Sequence, residues 1–130
     1  LGILQVMTAR PKVDFAKIGF EQGWHRPEGA PEGVSAKILA GALAHVSKQG
    51  NCTTLTRWRA GTEVTRAITH HYIEKVYVIS GTLQWLGADG STAVEANSYV
   101  CRPAGVPHGP FRPDGNYLAI EFCYYEDAGR

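Results

Sequence analysis

The stretch "THHYIEKVYVISG", residues 69–81, places His70 four positions before Glu74. Imidazole and carboxylate both bind divalent ions, at about 2 Å from the metal. A spacing of four suits one face of a helix, but the β-branched and aromatic run "KVYVIS", closed by Gly81, argues for a strand. A straight strand fails too, because four steps of about 3.3 Å put the two side chains roughly 13 Å apart. They can share an ion only if the chain turns at 71–73, so that His70 ends one strand and Glu74 opens its antiparallel neighbour. A third ligand stands in "RPAGVPHGPF", 102–111, where Pro103, Gly105 and Pro107 form a stiff bend that delivers His108. A histidine so held is preorganised, as a metal ligand benefits from being.

Side chains alternate across a strand, which sets the remaining orientations. With His70 inward, Val64, Arg66 and Ile68 share its face. An interior arginine needs an anionic partner. Arg66 is therefore expected to serve the chemistry by binding a substrate carboxylate or enolate, or else to pair with a core glutamate such as Glu121. Past the turn, Glu74 faces the same way as Val76, Val78 and Ser80, while Lys75, Tyr77 and Ile79 face the other. His71 lies in the turn or points away from His70, and a ligand role for it needs an irregular turn. His25 and His45 read as structural or surface residues. Tyr99, Phe111 and Trp85 are core aromatics or pocket walls.

The elements that must position these groups are short β-like runs: 34–39, 43–46, 52–59, 62–68, 74–80, 82–86, 91–95, 98–102 and 117–125. Turn signals such as "QGN", "GADG", "AN" and "RPDGN" separate them. No window shows a sustained 3.6-residue apolar period. Many short strands with frequent punctuation predict an all-β sandwich or small barrel of low helix content. Residues 22–33, "QGWHRPEGAPEG", read as a loop. The domain plan is an N-terminal arm or loop over 1–33, packing on a single barrel domain over 34–130.

Composition narrows the function classes. The chain has 130 residues, 44% of them apolar and 19% charged, enough for one domain with a real core. Thirteen basic against twelve acidic residues, without a run of like charge, give no electrostatic case for nucleic acid or an anionic membrane. Cys52, Cys101 and Cys123 form no C-x-x-C pair and read as buried thiols. Residues 1–9, "LGILQVMTA", lack a basic flank, and no window reaches the length of a membrane span. A cytoplasmic location is the default expectation.

Two patterns carry a resemblance. Glu74, six residues and Gly81 match the end of the first cupin motif, and Pro103-x-Gly105-x-x-His108 matches the core of the second. The chain is similar over about 60–125 to single-domain cupins, nearest the ChrR-like and acetylacetone dioxygenase-like groups. The resemblance implies a cupin jelly-roll β-barrel (a double-stranded β-helix) with a divalent metal near its mouth. Four departures stand out. Ile68 occupies the place of the first histidine in the usual His-x-His, and Asn97 replaces a glycine whose turn geometry it tolerates. Arg112 replaces an asparagine, and Arg102 stands where the dioxygenase-like group tends to carry a glutamate.

The ligand set expected is therefore His70, Glu74 and His108, a facial triad suited to Fe(II) and oxygen, with zinc or manganese also compatible. The function expected is a metal-dependent enzyme on a small organic molecule, with Fe(II) dioxygenase-type cleavage of a dicarbonyl or phenolic ketone as the best single guess. Isomerase or hydrolase chemistry fits the same ligands. The alternatives are a non-catalytic ChrR-like sensor or small-molecule binder, and a degenerate cupin without metal. Cupins commonly pair through strands, so a homodimer is expected, with "LTRWRA" and "YLAIEFCYY" as its edges.

Overall fold

A computed structural model describes residues 12–126; residues 1–11 and 127–130 lie outside the described residues, and with them the start of the expected arm and the end of the expected barrel domain. Seven strands follow in chain order: β1 (Trp24–His25), β2 (Val34–Ala44), β3 (Gln49–Trp58), β4 (Ile73–Gly87), β5 (Gly90–Val94), β6 (Tyr99–Arg102) and β7 (Phe111–Tyr124). No helix occurs among the described residues, and none is long and apolar enough to cross a membrane. The sheet is antiparallel in the order β1-β2-β3-β7-β4-β5, and β6 pairs with the start of β4. Before β1, residues 12–23 form no strand. The arm attaches through Trp24, whose ring stacks with Phe20 and lies beneath the Arg57 guanidinium at 3.8 Å.

The alternation expected after the turn holds. Glu74, Val76 and Val78 are buried, whereas Tyr77 and Ile79 are exposed. The matching inward set on β7 is Tyr117, Ala119 and Cys123. Of these, Val76, Val78, Tyr117 and Ala119 pack with Leu83 and Phe111 into the core, against Trp58, Val94 and Val100. No helical layer covers this face, so the sheet must wrap its own apolar side inward. Ser80 leaves the pattern because the β4–β7 register shifts on both sides of it.

Several expectations need correction. The runs 34–39 and 43–46 are parts of one strand, β2, and the turn after it; 74–80 and 82–86 are one strand, β4, which continues through Gly81; and 22–33, read as a loop, holds β1. Segment 62–68 is not a strand: it touches the sheet through an isolated bridge, Ile68 to His108, and through bonds between Thr65 and Phe111. Contacts at 65 and 68 are three residues apart, so the two-residue alternation is not transmitted along it. "LTRWRA" and "YLAIEFCYY" are not edges either, because β3 and β7 are hydrogen-bonded on both sides. The edges lie at β1, β5 and β6. Cys101 is exposed, not buried, while Cys52 is half-buried and Cys123 buried.

Two backbone positions show why the motif residues are what they are. Asn97 sits at φ 67°, the left-handed region that glycine usually serves, and its Oδ1 accepts a 2.7 Å bond from the Tyr77 hydroxyl. Gly81 sits at φ 80°, and an added Cβ would overlap the Asn116 carbonyl oxygen. Gly29 has a similar φ of 78° but open space around it. Gly81→Ala should therefore cost about 2–3 kcal/mol in urea unfolding, against about 1 kcal/mol for Gly29→Ala. Equal losses would show that the close approach at Gly81 is unimportant.

Candidate metal centre

His70 and Glu74 are brought together by the turn at 71–73. Gly105 N–H donates to the His70 carbonyl, and His108 exchanges both backbone hydrogen bonds with Ile68. The bend at 103–107 is thus sewn to the segment entering β4, which carries His108 to the other two groups. One ligand atom from each of His70, Glu74 and His108 lies within 4.8 Å of the others. The two imidazole centroids are 4.7 Å apart.

Within this cluster the atoms are ordered. His70 Nδ1–H donates to the Tyr72 carbonyl at 2.9 Å, and its ring stacks on the Tyr72 ring at 3.8 Å and 4°. The opposite nitrogen, Nε2, lies 3.0 Å from Glu74 Oε2. With the Nδ1 proton committed to a carbonyl, Nε2 faces a carboxylate as a lone pair unless a second proton or a cation stands between them. Two ligands at about 2.1 Å from one ion and at right angles are themselves about 3.0 Å apart, so the gap is of the right size. His108 Nδ1 is buried without a hydrogen-bond partner among the described residues. Such an orphan costs about 1–3 kcal/mol, and coordination is one way to satisfy it. By donor type, by spacing and by the Tyr72 carbonyl that holds the His70 ring in place, the three groups fit a divalent ion.

The electrostatics agree with that fit. Burial pushes the Glu74 carboxyl up, but the proton or cation that bridges it to His70 Nε2, together with the Arg102 charge, outweighs burial and holds the group below its usual range. Burial lowers His108, the Glu74 charge opposing it and the Arg102 charge adding to it, with the net direction downward. Ionised carboxylate and neutral imidazole are the forms that ligate. A second carboxyl, Glu121 on β7, shares the chamber: its oxygen, one of Glu74 and the Cys123 sulfur also lie within 4.8 Å of one another. Burial, then the Glu74 charge, raises Glu121 to about 8, against a hydrogen bond from Thr56.

Arg66 does not take the place expected of it. It is exposed and has no ion pair among the described residues, since the segment carrying it is not a strand. The arginine of the chamber is Arg102, whose Nη1 donates to Glu74 Oε1 at 2.9 Å while its guanidinium lies 5.1 Å from the Phe111 centroid. The signal was the β4–β6 register, which puts Arg102 opposite Glu74. His71 is exposed and outside the cluster, and His45 bonds the Tyr125 hydroxyl at 2.7 Å. Phe111 belongs to the core, but Tyr99 and Trp85 are exposed.

No family model matches the sequence, and no curated protein matches it either. Solved structures do match in fold. An acetylacetone dioxygenase from Acinetobacter johnsonii aligns with TM-score 0.65 and 16% identity over 92% of this chain and 82% of that one. The polyketide cyclase RemF from Streptomyces resistomycificus aligns with TM-score 0.64 and 15% identity over 87% and 81%. An RmlC-like cupin from Shewanella frigidimarina aligns with TM-score 0.62 and 16% identity over 88% and 93%.

The Glu121 environment has a consequence for stability. Its carboxyl holds a proton in the folded chain that the unfolded chain has already released above the ordinary value of 4.5. Stability is therefore lost as pH rises from about 4.5 to about 8. Glu121→Gln should remove this slope, so that the melting temperature of the variant gains on the native protein from about pH 5 to about pH 8 and levels off above that. Parallel melting curves across that range would contradict a raised Glu121.

Proposed function

With the cupin fold as premise, we propose that this chain is a metal-dependent enzyme acting on a small organic molecule, and that Fe(II) dioxygenase-type cleavage of a dicarbonyl or phenolic ketone is the activity its geometry supports best. The observation that carries the proposal is the convergence of His70, Glu74 and His108 within 4.8 Å. Likeness in fold to an acetylacetone dioxygenase supports the choice of reaction. When bound, a divalent ion would supply Lewis acidity and open positions where substrate and oxygen meet.

The chain's own residues have separate tasks. The Tyr72 carbonyl fixes the His70 tautomer and turns Nε2 toward Glu74. Trp58, Phe111 and Tyr117, in edge contact at 6.3 Å, belong to the packed core, and Phe111 also borders the centre, 6.4 Å from the His108 ring centroid. Glu121 keeps a proton near the reacting groups below a pH of about 8. Zinc or manganese with isomerase or hydrolase chemistry suits the same three ligands.

One observation favours a second reading, a cupin without metal: Arg102 already neutralises Glu74 at 2.9 Å. Metal analysis after incubation with Fe(II), Zn(II) or Mn(II) separates the two. Near one equivalent is expected for the native chain, and less than about 0.1 for His108→Ala. Native protein that stays below about 0.1 equivalent is the metal-free cupin. Oxygen uptake by the iron-loaded protein on a panel of 1,3-dicarbonyls identifies the enzyme, whereas bound iron without uptake identifies a sensor. We also propose a homodimer. The exposed Tyr77, Ile79, Tyr99 and Phe122 supply apolar surface for it, and a monomer in light scattering would remove it.

A further inference from the structure

Arg102 is placed to do more than balance Glu74. Its side chain is 14% exposed, and Nη1 to Glu74 is the one hydrogen bond it makes among the described residues. A guanidinium has five N–H donors, so about four remain. They are not sealed in, since His108 Nδ1 is the sole fully buried side-chain nitrogen or oxygen without a partner among the described residues. Open donors on a mostly buried cation beside a ligand carboxylate form a ready seat for an oxyanion.

Charge leads to the same place. Two neutral imidazoles and one carboxylate leave a divalent ion with one positive charge, the ordinary state of a facial triad. Arg102 adds another, so the loaded chamber carries two. A 1,3-diketone bound as its enolate brings a single negative charge and leaves one positive charge in a poorly solvated place, which is costly. The sum holds while Glu121 keeps its proton, as burial and the neighbouring Glu74 charge favour; an ionised Glu121 would cancel the charge that an enolate leaves over, so the open Arg102 donors, not this sum, carry the case for a carboxylate.

We infer that the substrate carries a carboxylate next to its chelating carbonyl, and that Arg102 binds this carboxylate while an ion held by His70, Glu74 and His108 would take the carbonyl end. The inference rests on the metal-enzyme reading and narrows it from dicarbonyls in general to oxo acids. Arg102 is thereby the residue that sets specificity, the role the sequence pattern had suggested for Arg66.

The test compares two probes with the same 1,3-dicarbonyl core, acetylacetone and 2,4-dioxopentanoate, titrated calorimetrically into the zinc-loaded protein. Any preference of zinc itself for the more highly charged probe is what remains in Arg102→Gln. The affinity ratio in favour of the acid should fall at least about tenfold on that substitution and recover in part in Arg102→Lys. Because the variant also loses a partner of Glu74, its zinc content and melting curve are taken alongside. A second readout needs no variant: the side-chain ¹⁵N signals of arginine in the native zinc-loaded protein should shift with 2,4-dioxopentanoate and stay still with acetylacetone. An unchanged ratio in Arg102→Gln, or arginine signals indifferent to the acid, overturns the inference and leaves the metal reading intact. Failure of the native chain to take up zinc or iron overturns both.

Discussion

The Glu74 carboxylate, 11% exposed and divided between His70 Nε2 at 3.0 Å and Arg102 Nη1 at 2.9 Å, is the interaction on which the rest of the molecule turns. A buried charge left without partners costs several kcal/mol, and removing one partner of a buried pair costs about 3–5 kcal/mol. The topology supplies both partners at one point. β6 pairs along one side of the start of β4 and sets Arg102 opposite Glu74; β7 pairs along the other and sets Cys123 there. The turn at 71–73 returns His70 over the same position. Shifting β6 by one residue would turn Arg102 to the outer face and strand the carboxylate, so this pair also fixes the register of a four-residue strand that has little else to hold it.

Two carboxyls sit in one chamber and are driven apart. Glu74 has a hydrogen-bonding imidazole and a guanidinium and stays ionised; Glu121 has a hydroxyl and burial and stays protonated. Like charges this close cannot both ionise cheaply, and the difference in partners decides which one does. The result is one ligand-type carboxylate and one proton-bearing carboxyl side by side, with His108 held neutral across from them. Had Arg102 stood beside Glu121 instead, the assignments would be exchanged and Glu74 would be a poor ligand.

What could be read in the sequence divides along a physical line. β4 was legible because its two faces meet different surroundings, so alternation from Glu74 to Ile79 is written in residue types. The bend that presents His108 was legible because Pro103, Gly105 and Pro107 are local determinants. Arg66 was misplaced because alternation was carried through a segment without a continuous ladder, where parity has no meaning. Arg102 stood out only as a departure from the dioxygenase-like pattern; its pairing with Glu74, 28 residues away in the chain, is set by the β4–β6 register, which no local pattern announces. β7 was read as an edge although it lies between β3 and β4, because the residue types of "YLAIEFCYY" report which faces are covered and not which strands pair alongside.

The isoleucine at the place of a usual ligand histidine now has a physical account. Ile68 N–H and C=O both bond to His108, at 2.8 and 2.9 Å, and its side chain is 56% exposed. The contribution of position 68 to the centre is made by its backbone, which any residue except proline can supply. A side chain there is free to vary without releasing His108. A histidine at 68 would bring another neutral donor and no charge, so its absence leaves the electrostatics of the chamber unchanged. Exchanging a glutamate for Arg102 moves the chamber by two units of charge. Ile68 therefore bears on how tightly an ion would be held, and Arg102, as proposed, on which molecules would join it.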